Sequence, residues 1–150
     1  MGLDMYVRAK RYLSDYNTAD KIIKDMVNSS FTDLERGNID INMVVGEAAY
    51  WRKANAIHKW FVENVQDNED DCGEYYLDRE HIKDLIEICK TVLNDRSKAV
   101  ELLPTQSGFF FGDTNYDEYY FDDLQDAINQ LEPLLNSNYD KWEFYYHSSW

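Results

Sequence analysis

Tyr50-Trp51-Arg52-Lys53-Ala54-Asn55-Ala56-Ile57-His58-Lys59-Trp60-Phe61 is the stretch on which the fold turns. At a helical period, Tyr50, Ala54, Ile57, Phe61 and Val65 make one continuous apolar stripe. The spacing predicts a long central helix from Glu47, or from Ala48, to Val65. Trp51, Asn55 and His58 line up beside that stripe, and Arg52, Asn55 and Lys59 form the next row. One flank therefore carries an indole, an amide, an imidazole and two cations, in a chain of formal net charge -14. Two readings follow: a core helix whose flank covers its neighbours with amphipathic side chains, or a strip that binds something anionic or planar.

Upstream, Leu3, Met5, Val7 and Ala9 alternate with Asp4, Tyr6, Arg8 and Lys10, the period of a half-buried strand. Thr18 is placed to cap a short helix with Ile22, Ile23, Met26 and Val27 facing inward. Phe31 to Asn38 reads as a connection, with Gly37-Asn38 as its turn. Alternation at Ile39, Ile41 and Met43 predicts a second strand.

Downstream, Gln66 to Gly73 reads as an acidic loop. Asp67, Glu69 and Asp71 mimic the start of a calcium loop, but Cys72 stands where glycine is required and Asp78 where glutamate is, so no metal is expected. Asp78 caps an amphipathic helix with Ile82, Leu85, Ile86, Cys89 and Val92 inward. A further helix carries Tyr120, Leu124, Ile128, Leu131 and Leu135, and Pro133 should end or kink it near Glu132. Trp142, Phe144 and Tyr146 alternate as a C-terminal strand. The expectation is one α+β domain over 1–150, with three to four helices packed on a small antiparallel sheet that includes both terminal strands.

Aromatic residues make up 15% of the chain, too many for a disordered acidic polymer. No apolar run is long enough to cross a bilayer, and the start lacks the basic-then-apolar pattern of a secretory leader. Two cysteines, Cys72 and Cys89, do not make a disulfide scaffold. A cytoplasmic location without membrane association is expected. From Ala99 to Asn138 there is no Lys or Arg, and the acidic surface repels nucleic acid while attracting basic proteins.

Leu103-Pro104-Thr105-Gln106-Ser107-Gly108-Phe109-Phe110-Phe111-Gly112 is the second unusual stretch. Three consecutive Phe cannot all point one way, and Thr105, Gln106 and Ser107 are the furnishing of a polar ligand loop. It lacks the spacing and the Lys of a phosphate loop.

Together with the start Met1-Gly2-Leu3-Asp4-Met5-Tyr6, the stretches already quoted, Tyr116-Asp117-Glu118-Tyr119-Tyr120 and the closing Phe144-Tyr145-Tyr146-His147-Ser148-Ser149-Trp150, this loop gives the chain its family likeness. It resembles a family of small uncharacterised phage-encoded proteins over most of its length. The resemblance implies a host-interaction or counter-defence setting in the bacterial cytoplasm, and no mechanism.

Three functions meet these residues. The first is a non-catalytic binder for a small anionic, nucleotide-like ligand, in which Trp51 stacks, Arg52 and Lys59 pair with phosphate, and Asn55 and His58 hydrogen-bond. Thr105, Gln106 and Ser107 would close that site, with Phe110 in its apolar wall. The second is an acidic mimic of nucleic acid presenting Asp117, Glu118, Asp122, Asp123 and Asp126 to a basic host protein. The third is a small enzyme with His58 as acid or base beside Asp117 or Glu118. No cofactor motif is present, so no cofactor is expected. Twelve Tyr and four Trp also admit self-association, since such rings anchor interfaces.

Overall fold

A computed structural model describes residues 2–31 and 39–150. Among these residues four strands form one antiparallel sheet in the order β2-β1-β4-β3. They are β1 (Asp4–Tyr12), β2 (Met43–Arg52), β3 (Glu74–Leu77) and β4 (Glu143–Ser149). Five helices accompany them among the described residues: α1 (Thr18–Ser30), α2 (Asn55–Asn64), α3 (Arg79–Asn94), the one-turn α4 (Ala99–Leu102) and α5 (Glu118–Leu131). The protein is a single α+β domain with strands at both termini, as the terminal alternations imply.

The two terminal strands lie side by side in the middle of the sheet. Val7 opposes Tyr146 and Ala9 opposes Phe144, so the inward residues of both strands meet on one face, where α2, α3 and α5 pack. Tyr146 is fully buried and stacks on Phe61 of α2 with ring centroids 4.0 Å apart. Leu3, Met5, Ile57, Leu85, Leu124 and Leu131 complete the innermost layer. Each such side chain contributes about 1.5–3 kcal/mol by leaving water.

The long central helix is corrected. Tyr50, Trp51 and Arg52 belong to β2, paired with Tyr6, Met5 and Asp4 respectively. Ala49 and Trp51 point into the core, whereas Tyr50 and Arg52 point out. Pairing with β1 along the whole strand outweighs a helical stripe that Tyr50 happened to extend by one turn. Lys53, at φ 62°, turns the chain, and the helix begins only at Asn55.

Four smaller corrections follow. In α1, Ile22 and Met26 are exposed, while Asp20 and Lys24 are buried. Ion pairs of Arg11 with Asp20, and of Lys24 with Asp15 and Asp40, turn the charged face inward. The cap of α1 is Asn17, whose Oδ1 accepts the Ala19 and Asp20 amides, rather than Thr18. The second strand starts at Met43 rather than Ile39, and β3 was not foreseen. The connection expected at Phe31 to Asn38 falls almost wholly outside the described residues.

Elsewhere the pattern holds. Asp78 caps α3 through the His81 amide, and Cys89 is buried with its thiol pushed up to about 12 by loss of solvent. The helix before Pro133 stops at Leu131 and tightens into a 3-10 turn over Glu132–Leu135.

Candidate functional site

The junction between β2 and α2 is the structural centre of the site. Lys53 adopts the left-handed region, which a residue with a Cβ occupies only under constraint. Ala54 follows as the N-cap, a residue with no side-chain oxygen to give, and no side chain caps α2. No backbone carbonyl among the described residues meets the Ala56 and Ile57 amides. The positive end of the helix is thus left open, with Arg52 and Lys53 beside it.

That end forms one wall of a cleft of about 410 Å³. The loop from Thr105 to Asp117 and the first turns of α5 form the opposite wall, through Thr105, Asn115, Tyr119 and Asp123. The loop is held close by Asn55. Its Nδ2 donates to the Phe111 and Asp113 carbonyls at 3.1 and 2.7 Å, and its Oδ1 accepts the Gln106 amide at 3.0 Å. Gly112 has φ 88°, and a Cβ there would sit 3.1 Å from the Lys53 Cβ, so glycine permits this close approach.

Charge in the cleft is divided. Lys53 and Arg52 lie at the helix end; Arg52 has a distant partner in Asp4 at 3.8 Å. Of the three lining carboxylates, Asp113 accepts from the Asn115 amide and side chain. Asp117 caps α5 through the Tyr120 amide. Asp123 is half-buried, and loss of solvent, then Asp126, Asp122 and Asp117, lift its carboxyl to about 6.

The sequence-derived ligand residues separate in space. Arg52, Asn55 and Thr105 line the cleft. Trp51 is in the core, 3% exposed, against Phe61. His58 is completely buried and is not among the residues that line the cleft. Lys59 pairs with Glu63 on α2. Gln106 serves the loop through its backbone, Ser107 is exposed, and the Phe110 carbonyl accepts the Leu3 amide. Phe111 is the buried ring of the three, whereas Phe109 is almost fully exposed.

The acidic residues separate as well. Glu118 is engaged by Arg96 through two hydrogen bonds, Asp126 accepts from Gln130, and Asp122 is exposed. The carboxylate beside His58 is Asp70, at 3.0 Å from Nε2, and neither Asp117 nor Glu118. Among the described residues, no three His, Cys, Asp or Glu side chains are arranged to hold a metal ion.

The sequence pattern does not point to Lys53, Asn115, Tyr119 or the free amides, and it places Asp123 on the acidic surface alone. A basic pair directly before a residue that cannot cap a helix is the signal that would have pointed to Lys53. Compared with protein-family models, curated proteins and solved structures, the chain matches none of them.

Proposed function

We propose that this cleft binds a small ligand with an anionic group at one end and hydrogen-bond donors at the other. A nucleotide has this chemistry. Its phosphate would lie against Lys53, Arg52 and the Ala56 and Ile57 amides, where helix end and cations act together. Its base would offer amino hydrogens to Asp123 and share an amide pair with Asn115. The observation that carries the reading is the uncapped start of α2 opening, beside two cations, into a cleft of about 410 Å³.

The reading is of binding without turnover. The nearby imidazole, His58, is fully buried with both ring nitrogens engaged. The acidic-mimic alternative has less support, since Glu118, Asp117 and Asp126 are already occupied within the fold. Sequestration of a nucleotide signal in an infected bacterium would suit the resemblance to small phage-encoded proteins.

Native mass spectrometry of the protein purified from bacterial cells, before and after denaturation, tests this reading. An anionic small molecule should accompany the native protein and be absent from an Arg52→Ala/Lys53→Ala variant of unchanged melting temperature. A bare protein that also binds none of a panel of mono-, di- and cyclic nucleotides by calorimetry would remove the proposal.

A further inference from the structure

A second recess lies at the opposite end of the sheet-helix interface. Its volume is about 370 Å³, and Trp142, Tyr139, Phe144, Leu134, Pro133 and Ala48 supply apolar walls. Gly46 opens one side, and a Cβ built there would meet nothing within 4 Å. Among the described residues no Lys or Arg lines the recess, and Glu47 stands at it.

The recess adjoins a free sheet edge. Strand β2 pairs with β1 on one side and, among the described residues, has no strand on the other. Natural edges are commonly blunted by Lys or Pro, yet Met43-Val44-Val45-Gly46-Glu47 carries neither, and Val45 is 54% exposed. The register irregularity that leaves Ala48 without a partner on β1 closes this five-residue run at one end.

One position of the edge is already filled, and it shows what the edge accepts. The Gln130 side chain receives the Tyr50 amide on Oε1 and donates Nε2 to the Tyr50 carbonyl, both at 2.9 Å. A primary amide here makes the pair of bonds that a neighbouring strand would make. Gln130 also lines the recess, and its Nε2 is held by Asp126 at 2.6 Å. The edge therefore continues from an occupied amide position, past an apolar recess, under an acidic rim.

We propose that the outer edge of β2 receives an extended basic peptide segment of a partner protein, one of whose large apolar side chains enters the recess. Main-chain bonds to Met43 to Glu47 would supply affinity and the recess would supply selectivity. Glu47 at the recess and the net charge of -14 select Lys- or Arg-bearing segments. A second copy of this chain carries the same net charge and is the weaker candidate for that edge.

The test uses a labelled peptide alternating lysine and leucine, and a twin N-methylated at alternate residues. The twin keeps charge and side chains but cannot pair as a strand. In fluorescence polarisation the parent peptide should bind at least tenfold more tightly than the twin. Gly46→Trp, which fills the recess from a position with free space, should cost a similar factor at unchanged melting temperature. Equal binding of the two peptides, no binding of the parent, or indifference to Gly46→Trp would overturn the proposal. So would a dimer in native mass spectra that Gly46→Trp dissociates, since a second copy would then occupy the edge.

Discussion

His58 Nε2 lies 3.0 Å from the carboxylate of Asp70, and its Nδ1 lies 2.7 Å from the Tyr146 hydroxyl, with the ring fully buried. Asp70 also accepts the Trp150 indole N–H at 3.0 Å. An ionised Asp70 can only accept, so Nε2 carries the proton and Nδ1 accepts from Tyr146. The chain of bonds fastens the acidic loop and the C-terminal end to α2. Asp67, Asn68 and Cys72 in that loop are all left-handed, a conformation that persists only when surrounding contacts enforce it.

Burial holds the His58 pKa below its ordinary value of 6.5, against the pull of Asp70. The unfolded chain takes up a proton near pH 6.5 that the folded chain refuses. The stability from neutral His58 is therefore complete above that pH and declines as pH falls below it. Urea denaturation should show this decline, and His58→Gln, which cannot titrate, should lower stability throughout while flattening it. A wild-type decline that survives unchanged in His58→Gln would assign the effect to another group.

Asn55 joins α2 to the cleft loop by three hydrogen bonds while itself 4% exposed. Asn55→Ala leaves two carbonyls and the Gln106 amide without their partner, at a cost of about 2–4 kcal/mol. Asn55→Asp should be worse, because a carboxylate would face the Phe111 and Asp113 carbonyl oxygens. Hydrogen exchange at the Gln106 amide should accelerate in both variants well before global unfolding. Unchanged exchange there would mean that the loop holds its position without Asn55.

Asp123 gives the opposite sign to His58. Its carboxyl is raised from 3.8 to about 6, so the folded state holds a proton that the unfolded state has lost, and stability is forfeited as pH rises through that interval. Asp123→Asn should stabilise the protein at neutral pH by about 1–2 kcal/mol after allowance for solvent screening. The gain should shrink to nothing near pH 4. The same substitution should weaken the proposed ligand, since an amide offers its base less negative charge. A variant both more stable and equally able to bind would remove Asp123 from the site.

Strands β1 and β4 and helices α3 and α5 were legible because one face of each is apolar at a single period. The stretch from Tyr50 to Phe61 was not, because two periods overlap in it. Ala49 and Trp51 alternate with Tyr50 and Arg52, while Tyr50 also fits the stripe of α2. Pairing of Tyr50 with Tyr6, far away in sequence, decides between them. Arg52, Asn55 and Thr105 were found by their chemistry. The cleft role of Asp123 depends on how α5 approaches α2, which no local pattern encodes. Ile22 and Met26 misled because ion pairs, rather than apolar contacts, turn α1.

Lys53 separates backbone geometry from charge, because its φ of 62° suits glycine better than lysine. Lys53→Gly should relax the junction by about 1 kcal/mol, offset in part by the greater freedom of glycine in the unfolded chain. Its melting temperature should equal or slightly exceed that of the wild type, with the open end of α2 unchanged. Ligand affinity should nevertheless fall at least tenfold, the loss expected of one well-placed cation on an anionic group. Lys53→Ala should lose the same affinity and retain the strain, and Lys53→Arg should recover most of the binding. Calorimetry on the three variants, with the molecule that accompanies the native protein, distinguishes the contributions. Full affinity in Lys53→Gly would mean that the helix end and Arg52 hold the anion without Lys53.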